Sequence, residues 1–212
     1  MTNQLNKTAV IIGGGPAGCQ CALWLKMLGS DPLILEKSNQ LGGLQNESPY
    51  KNNWVVGLLN TTGRELAHHI DHHIKSLDIP IIFNAKIKAI TAESSYFMVQ
   101  VSDQLIKTNY LVIAAGVKQY RQSSSSNQFD YDALNRQLSR KEWEAVLPEA
   151  LVPYKKELLG DDGFILTDNF CCTPIKNIYA IGEGANRMPP CVVTSMADGV
   201  VAAKAIHYLC AE

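Results

Sequence analysis

The fold is decided by residues 8–18, which read Thr-Ala-Val-Ile-Ile-Gly-Gly-Gly-Pro-Ala-Gly. The apolar, β-branched run Thr8–Ile12 is typical of a strand that is buried on both faces. The glycine turn follows at once, and the amphipathic stretch after it, which runs to Leu28 and is closed by Gly29, predicts a helix. A second buried strand at Pro32–Leu35 completes a βαβ unit.

Gly13, Gly15 and Gly18 have the Gly-x-Gly-x-x-Gly spacing of a dinucleotide-binding turn. Gly13 permits the tight turn, Gly15 lets the backbone approach a pyrophosphate, and Gly18 lets the helix pack closely on the strand. The helix N-terminus also offers free N–H groups to the phosphates. Glu36, at the end of the second strand, can accept both hydroxyls of an adenosine ribose, and its charge disfavours a 2′-phosphate there. The motif fits NAD and FAD equally well, and the alternative is an ordinary glycine turn that binds nothing.

The remainder of the chain predicts an α/β architecture with a parallel sheet, a layer of helices and a small antiparallel β-layer from Ile81 to Lys107. A capping box at Thr62 and Glu65 predicts a helix through Lys75. The other predicted elements are strands at Pro80–Phe83, Ile87–Thr91, Tyr96–Val101, Gln104–Lys107, Tyr110–Ala114 and Asn177–Ile181, a serine tract at Ser123–Ser126, short helices at Asp130–Arg140 and Lys141–Leu147, and a final helix at Val192–Leu209.

Composition excludes several function classes. The 212 residues carry 19 basic and 20 acidic side chains, so a net charge of -1 gives no electrostatic reason to bind nucleic acid or an anionic membrane surface. No apolar run approaches the roughly 18 residues that a membrane span needs. The polar start of the chain predicts no secretory signal, and six cysteines are too few for a disulfide scaffold. We therefore expect a soluble, cytoplasmic protein.

Several short motifs follow the glycine turn in a fixed order. They are Leu41-Gly42-Gly43-Leu44, Asn52-Asn53-Trp54, Gly63-Arg64-Glu65-Leu66, Val112-Ile113-Ala114-Ala115-Gly116 and Ile178-Tyr179-Ala180-Ile181-Gly182-Glu183. In order and spacing, they resemble the FAD domain of thioredoxin reductase and its relatives in the pyridine nucleotide–disulfide oxidoreductase superfamily. The resemblance implies a Rossmann-type FAD-binding domain. It also implies a second FAD signature at Gly182-Glu183, which disfavours an NAD-binding module without flavin, and it makes a homodimer plausible.

With the glycine turn, the resemblance predicts FAD as the cofactor and a set of residues that contact it. The Gly-Gly segment would pass the flavin, Asn53 of the second motif would contact the flavin side, and the acid of the last motif would bind the ribityl chain. The predicted cofactor-binding residues are Gly13, Gly15, Pro16, Ala17, Gly18, Glu36, Lys37, Gly43, Leu44, Asn53, Lys86, Ala115, Gly116, Gly182, Glu183, Cys191 and Val192.

The chain departs from that family in two respects. Only residues 122–159 lie where the family inserts an NADPH domain, and no cysteine pair has the Cys-x-x-Cys spacing. We therefore expect one FAD-binding domain over residues 1–212, with a short helical insert at 122–159 that covers the exposed surface, mediates dimerisation or caps the flavin. The implied function is an FAD-dependent oxidoreductase that works with an unidentified small-molecule or protein redox partner. The alternative is a non-enzymatic flavoprotein, such as a redox sensor or an electron-transfer module.

Cys191 is the one candidate for a reactive side chain, because it lies at the start of the final helix, where a thiolate is stabilised. The alternative is a small packing residue in place of the Ala that the family has there. For Cys171 and Cys172 we favour two ordinary cysteines over a strained vicinal disulfide, and we expect Cys19 and Cys21 to be core residues.

Four histidines, His68, His69, His72 and His73, fall within one predicted helix. The pairs His68/His72 and His69/His73 have the i,i+4 spacing that can share a metal ion. No third ligand is evident, and no Glu occupies the position that it has in zinc proteases. The sequence therefore favours a polar helix face and predicts no metal site.

Overall fold

A computed structural model of the chain describes residues 4–119, 143–186 and 191–209. Within these ranges the strands are β1 (Gln4–Ile12), β2 (Pro32–Leu35), β3 (Ile81–Ile82), β4 (Ile87–Ala92), β5 (Phe97–Val101), β6 (Gln104–Ile113), β7 (Val117–Gln119), β8 (Trp143–Ala145) and β9 (Ile178–Ala180). The α-helices are α1 (Pro16–Met27), α2 (Gly63–Ser76), α3 (Lys155–Leu158) and α4 (Val192–Leu209).

One sheet of seven strands organises the domain, in the order β3-β2-β1-β6-β5-β4, with β9 also paired to β6. Strand β1 runs parallel to β2 and to β6. Along the other edge of β6, the first half pairs antiparallel with β5 and the second half pairs parallel with β9. The predicted α/β fold of the Rossmann type is confirmed, because βαβ units and a parallel sheet form its centre.

Two details of the sheet differ from the prediction. Strand β6 is continuous, where the sequence predicted separate strands at Gln104–Lys107 and Tyr110–Ala114. Two polar residues, Thr108 and Asn109, lie between them. Asn109 is exposed, and Thr108 is tolerated because its buried hydroxyl donates to the carbonyls of Thr8 and Tyr110. The continuous strand also brings β4 and β5 into the main sheet rather than into a separate antiparallel layer, and Ile81–Ile82 pair in parallel with β2.

The predicted helix over Lys141–Leu147 is wrong at Trp143–Ala145, which form β8 antiparallel to β7. The apolar spacing of this segment suggested a helix, but cross-strand pairing prevails here, and Lys118 and Glu144 form a 2.6 Å ion pair between the strands. The predicted serine tract at 123–126 and helix at 130–140 lie outside the described residues.

The segment after β8, which falls within the predicted insert at 122–159, packs on the sheet. Residues Glu149–Tyr154 form a 3-10 helix and lead directly into α3. Leu151 and Leu158 from these elements are fully buried against the sheet, with Phe164 and Ile165. The chain that separates β7 from β8 is therefore residues 120–142, which is shorter than the insert predicted at 122–159.

The central strands are buried on both faces, as their continuous apolar sequence predicts. In β1, Ala9 and Ile11 face the core under α1 and α4, whereas Val10 and Ile12 face the core that includes Leu151. Helix α4 approaches α1 closely at Gly199, where an added Cβ would lie 2.5 Å from the carbonyl oxygen of Ala17. No helix in the described ranges is both long enough and apolar enough to cross a membrane.

Helix α2 begins with the predicted capping box. Thr62 Oγ1 accepts the Glu65 N–H at 3.2 Å, and the Glu65 carboxylate accepts the Thr62 N–H at 2.7 Å and its hydroxyl at 2.8 Å. These hydrogen bonds from Thr62, backbone first, lower the pKa of Glu65. The helix supports the Gly42–Gly43 turn, because an added Cβ at Gly42 would overlap Ala67.

We predict that Thr62→Ala destabilises the protein by about 1 kcal/mol at pH 7, because it removes an N-cap. Thr62→Ser keeps the hydroxyl and serves as the control. The pKa of Glu65 is lower in the folded protein than in the unfolded chain. The stability that its carboxylate contributes through the capping box is therefore fully present above the ordinary carboxylate pKa and is lost as the pH falls through the lowered value. Urea denaturation at several pH values measures this, and a Thr62→Ala penalty that does not shrink in acid contradicts it.

Candidate cofactor site

A cavity of about 780 Å³ opens at the carboxyl ends of the parallel strands. Its walls include the last residues of β1 and β2, Ile12 and Leu35, and the residues that follow β6 and β9, Ala114 and Ile181. In open α/β sheets, ligands bind in the crevice outside these strand ends. The sheet topology therefore places a binding-sized space where the fold would hold a nucleotide.

The first glycine turn forms one wall of the cavity, and its three motif glycines do different things. Gly13 has a φ of +115°, and an added Cβ would overlap the carbonyl of Ala114. An added Cβ at Gly18 would overlap the Gly13 carbonyl, so Gly18 serves the packing of α1 on the strands. Gly15 has an ordinary extended φ of -74°, and the nearest atom to an added Cβ is Gly43 Cα at 3.9 Å. Of these three glycines, only Gly15 therefore leaves space for a ligand where a side chain would otherwise lie.

Glu36 connects the end of β2 to this turn. Its buried carboxylate accepts the Gly14 N–H at 2.6 Å through Oε2, and the N–H and hydroxyl of Ser38, both at 2.8 Å, through Oε1. Glu36 also lines the cavity. A carboxylate offers about four lone-pair sites, so the hydrogen bonds that fix Glu36 leave room for a further donor from the cavity, such as a ribose hydroxyl.

The second glycine turn also lines the cavity and lies beside the start of α1, since an added Cβ at Gly182 would lie 2.9 Å from the Cβ of Ala17. Gly182 has a φ of +76°, and its N–H donates to Oδ2 of Asp198 at 3.1 Å. Asp198 is 4% exposed and lies in α4, so the helix holds the turn through a buried carboxylate. Val192 and Ser195, in the first turn of α4, complete this wall.

Most of the predicted cofactor-binding residues lie on the cavity wall, and their contact with a cofactor stays a prediction. Three of them do not line it, namely Gly18, Asn53 and Cys191. Those on the wall are Gly13, Gly15, Pro16, Ala17, Glu36, Lys37, Gly43, Leu44, Lys86, Ala115, Gly116, Gly182, Glu183 and Val192.

Asn53 is exposed, and its side-chain oxygen accepts the backbone N–H of Asn60 at 2.8 Å. This hydrogen bond closes the loop between the two residues. The side-chain amide of the preceding residue has a different partner, since Asn52 Nδ2 donates to Gln45 Oε1 at 3.4 Å. Gln45 lines the cavity. In this structure, the amide that is connected to the cavity is therefore that of Asn52, through Gln45, rather than that of Asn53.

Cys191 is the N-cap residue of α4. Its sulfur accepts the Thr194 N–H at 3.5 Å and lies 3.3 Å from Thr194 Oγ1, which in turn accepts the Cys191 N–H at 3.1 Å. This reciprocal pair is a capping box in which a thiol replaces the usual hydroxyl. The structure thus gives Cys191 a role in the helix start, and its reactivity stays a prediction.

Cys171 and Cys172, both within the described ranges, are reduced thiols rather than a vicinal disulfide. Cys19 and Cys21 are core residues, as predicted, and burial raises the pKa of both thiols. The four histidines of α2 are all exposed. No group of three or more metal-ligating side chains occurs in the part of the chain that the structure describes.

The predicted cofactor-binding residues leave out one part of the cavity wall. It is formed by Val146, Pro148, Glu149 and Ala150, which belong to the 122–159 segment that was expected to cover the exposed surface, mediate dimerisation or cap the flavin. Ser195 was also missed, and helical periodicity could have found it, since it lies three residues after Val192 on α4. Asp198 had no signal except that it is a lone acid within an apolar helix.

The pyridine nucleotide-disulphide oxidoreductase family matches residues 3–136, which is more than half of the chain. Among curated proteins, the thioredoxin reductase of Ureaplasma parvum is 30% identical over 119 residues, which cover 56% of this chain and 38% of that protein. Ferredoxin--NADP reductase 1 of Bacillus pumilus is 30% identical over 141 residues, which cover 64% of this chain and 41% of that protein. The chain thus spans less than half the length of these relatives.

Solved structures have the same fold at lower sequence identity. The thioredoxin reductase of Streptococcus pyogenes superposes with a TM-score of 0.79 at 17% identity, across 99% of this chain and 100% of that chain. A ferredoxin-flavin thioredoxin reductase of Clostridium acetobutylicum superposes with a TM-score of 0.76 at 19% identity, across 99% of this chain and 100% of that one. At such identities, the likeness concerns the fold alone.

We predict that Asp198→Ala destabilises the protein by roughly 1–3 kcal/mol, because it leaves the buried Gly182 N–H without its acceptor. Asp198→Asn, whose amide oxygen can accept the same hydrogen bond, should lose less. Urea denaturation compares the two variants with the wild type. Equal losses in both would show that the charge of Asp198, and not its hydrogen bond to Gly182, is what the turn requires.

Proposed function

Because the chain belongs to the pyridine nucleotide-disulphide oxidoreductase family, we propose that it is an FAD-dependent oxidoreductase of the thioredoxin-reductase-like group. One observation carries the proposal: a single cavity joins the Gly13–Gly18 turn and Glu36 to the Gly182–Gly184 turn and the start of α4. An extended dinucleotide cofactor needs such a continuous path. The substrate and the electron donor are not part of the proposal.

The size and chemistry of the cavity fit FAD. Its volume of about 780 Å³ falls within the roughly 300–1,000 Å³ typical of cofactor sites. At the Glu36 end, the carboxylate faces a place for the adenosine ribose, and Gly15 leaves space for the pyrophosphate. Lys37 and Lys86 line the same end and add positive charge near the phosphates.

At the other end, α4 would act on the flavin ring through its N-terminus. Val192 and Ser195, in its first turn, line the cavity, so the positive end of an 18-residue helix is directed at this space. A helix N-terminus stabilises nearby negative charge, which favours the anionic reduced form of a flavin. When bound, FAD supplies the redox chemistry, and these residues hold it and set its electronic environment.

The segment between β7 and β8 bears on how the flavin would be reduced. Residues 120–142 between β7 and β8 are too few for a second nucleotide-binding βαβ unit, which needs about 30 or more. The chain also has no Cys-x-x-Cys. A protein, a small reductant, or a nicotinamide nucleotide that binds without a domain of its own could each reduce the flavin. The same short segment is what favours the second candidate, a non-enzymatic flavoprotein such as a redox sensor or an electron-transfer module.

We predict that the purified chain takes up FAD and shows the visible absorbance of a flavoprotein. Gly15→Ala should weaken FAD binding at least tenfold, since its methyl group enters the space left for the pyrophosphate, a loss of about 1.4 kcal/mol or more. The cofactor-free variant should remain folded, because nothing in the protein crowds that methyl group. Gly18→Ala is the matched control, and we expect it to unfold the protein, because its methyl group would overlap the Gly13 carbonyl.

Wild-type affinity in a folded Gly15→Ala variant would contradict this placement of the pyrophosphate. The two functional candidates are then separated by anaerobic mixing of the loaded protein with NADH, NADPH, a dithiol or reduced ferredoxin. Bleaching of the flavin by one of these donors at a catalytically useful rate supports an oxidoreductase. Reduction by dithionite alone favours the non-enzymatic flavoprotein.

A further inference from the structure

The exposed face of α2 carries a dense group of metal-ligating side chains away from the cavity. Four of the five histidines in the chain lie there, at positions 68, 69, 72 and 73, and all four are exposed. The residues of α2 that pack into the core are others, namely Leu66, Ile70 and Ile74. Packing therefore gives no reason for four imidazoles on this face.

The histidines form two pairs, His68/His72 and His69/His73, each separated by one helical turn. The Cβ atoms of such i,i+4 pairs are about 5–6 Å apart. Two imidazoles at this spacing on one helix face are the arrangement that holds zinc in helical metalloprotease motifs. Each pair supplies two nitrogen ligands and leaves the remaining coordination positions for water or for a group from another molecule.

The surrounding charges distinguish the two pairs. Glu65 lies one turn before His69, whereas Arg64 lies one turn before His68. Besides its hydrogen bonds with Thr62, the charge of His69 lowers the pKa of Glu65, so these two side chains are electrostatically coupled. Asp71 forms a 2.7 Å ion pair with Lys75. A divalent cation is therefore attracted at His69 and repelled by the guanidinium near His68.

We propose that His69 and His73 form a surface site for a divalent first-row transition-metal ion, with the Glu65 carboxylate as the neighbouring negative charge. Imidazole suits Zn²⁺, Ni²⁺ and Cu²⁺. The site is open, in contrast to the closed four-ligand site of a structural zinc protein. It lies on the helix that supports the Gly42–Gly43 turn of the cavity, and it does not depend on the proposed function.

The experiment is isothermal titration of the full chain, without an affinity tag, with NiCl₂ in a buffer that does not coordinate metals. Ni²⁺ is the probe because thiolates prefer Zn²⁺ and Cu⁺, so the cysteine thiols interfere less. We expect saturable binding of one ion per chain in the wild type. The double variant His69→Ala/His73→Ala should lose it, and the matched variant His68→Ala/His72→Ala should keep it within about threefold of the wild type.

Glu65→Gln tests the role of charge, because a Gln at this position preserves the capping box. It should weaken Ni²⁺ binding by up to about tenfold at low salt, as expected for a unit charge one turn from a divalent ion. Circular dichroism of each variant verifies that α2 remains folded. Absence of saturable binding in the wild type overturns the proposal, and so does binding that survives in His69→Ala/His73→Ala or that is lost equally in the matched variant.

Discussion

The structure depends on a backbone contact between the Gly13–Gly18 turn and the strand ends around Ala114. At Gly13 and at Gly18, even a methyl group would overlap a carbonyl, one belonging to Ala114 and the other to Gly13. This close approach lets α1 begin directly above the sheet, and it leaves the first N–H groups of α1 directed at the crevice. The position of the cavity follows from it, and a helix N-terminus at this place favours a ligand that carries negative charge.

Two buried carboxylates hold the two glycine turns of the cavity in place. Glu36 binds the Gly14 N–H across the end of β2, and Asp198 binds the Gly182 N–H from within α4. Each joins a glycine turn to the element that packs beside it, so the turns keep their shape because of the core. Helix α4 packs in the apolar core through its contact with α1 at Gly199. It also forms part of the cavity wall through Val192 and Ser195.

Most of the first βαβ unit could be predicted from sequence, because its glycines, its buried strands and Glu36 are each required by local geometry. Strand β1, however, begins at Gln4, four residues before the predicted start at Thr8. The capping box of α2 was predictable for the same reason. The wall formed by Val146–Ala150 could not be predicted in this way. The preceding strand β8 has three residues, which is too short to show a period, and it pairs with β7, a strand that is distant in sequence. The loop around Asn53 shows a related limit: the motif places an amide there, but backbone turns decide which of two adjacent amides reaches Gln45.

We propose that the chain binds FAD chiefly through its adenosine and pyrophosphate half, because Gly13, Gly15 and Glu36 line the cavity. Titration of the cofactor-free chain with FAD, FMN and ADP tests it most directly, because FMN lacks that half and ADP consists of little else. We expect FAD to bind tightly, ADP to compete with it, and FMN to bind at least a hundredfold more weakly, a difference of about 2.7 kcal/mol or more. FMN binding as tight as that of FAD, or no binding of FAD at all, would contradict the account.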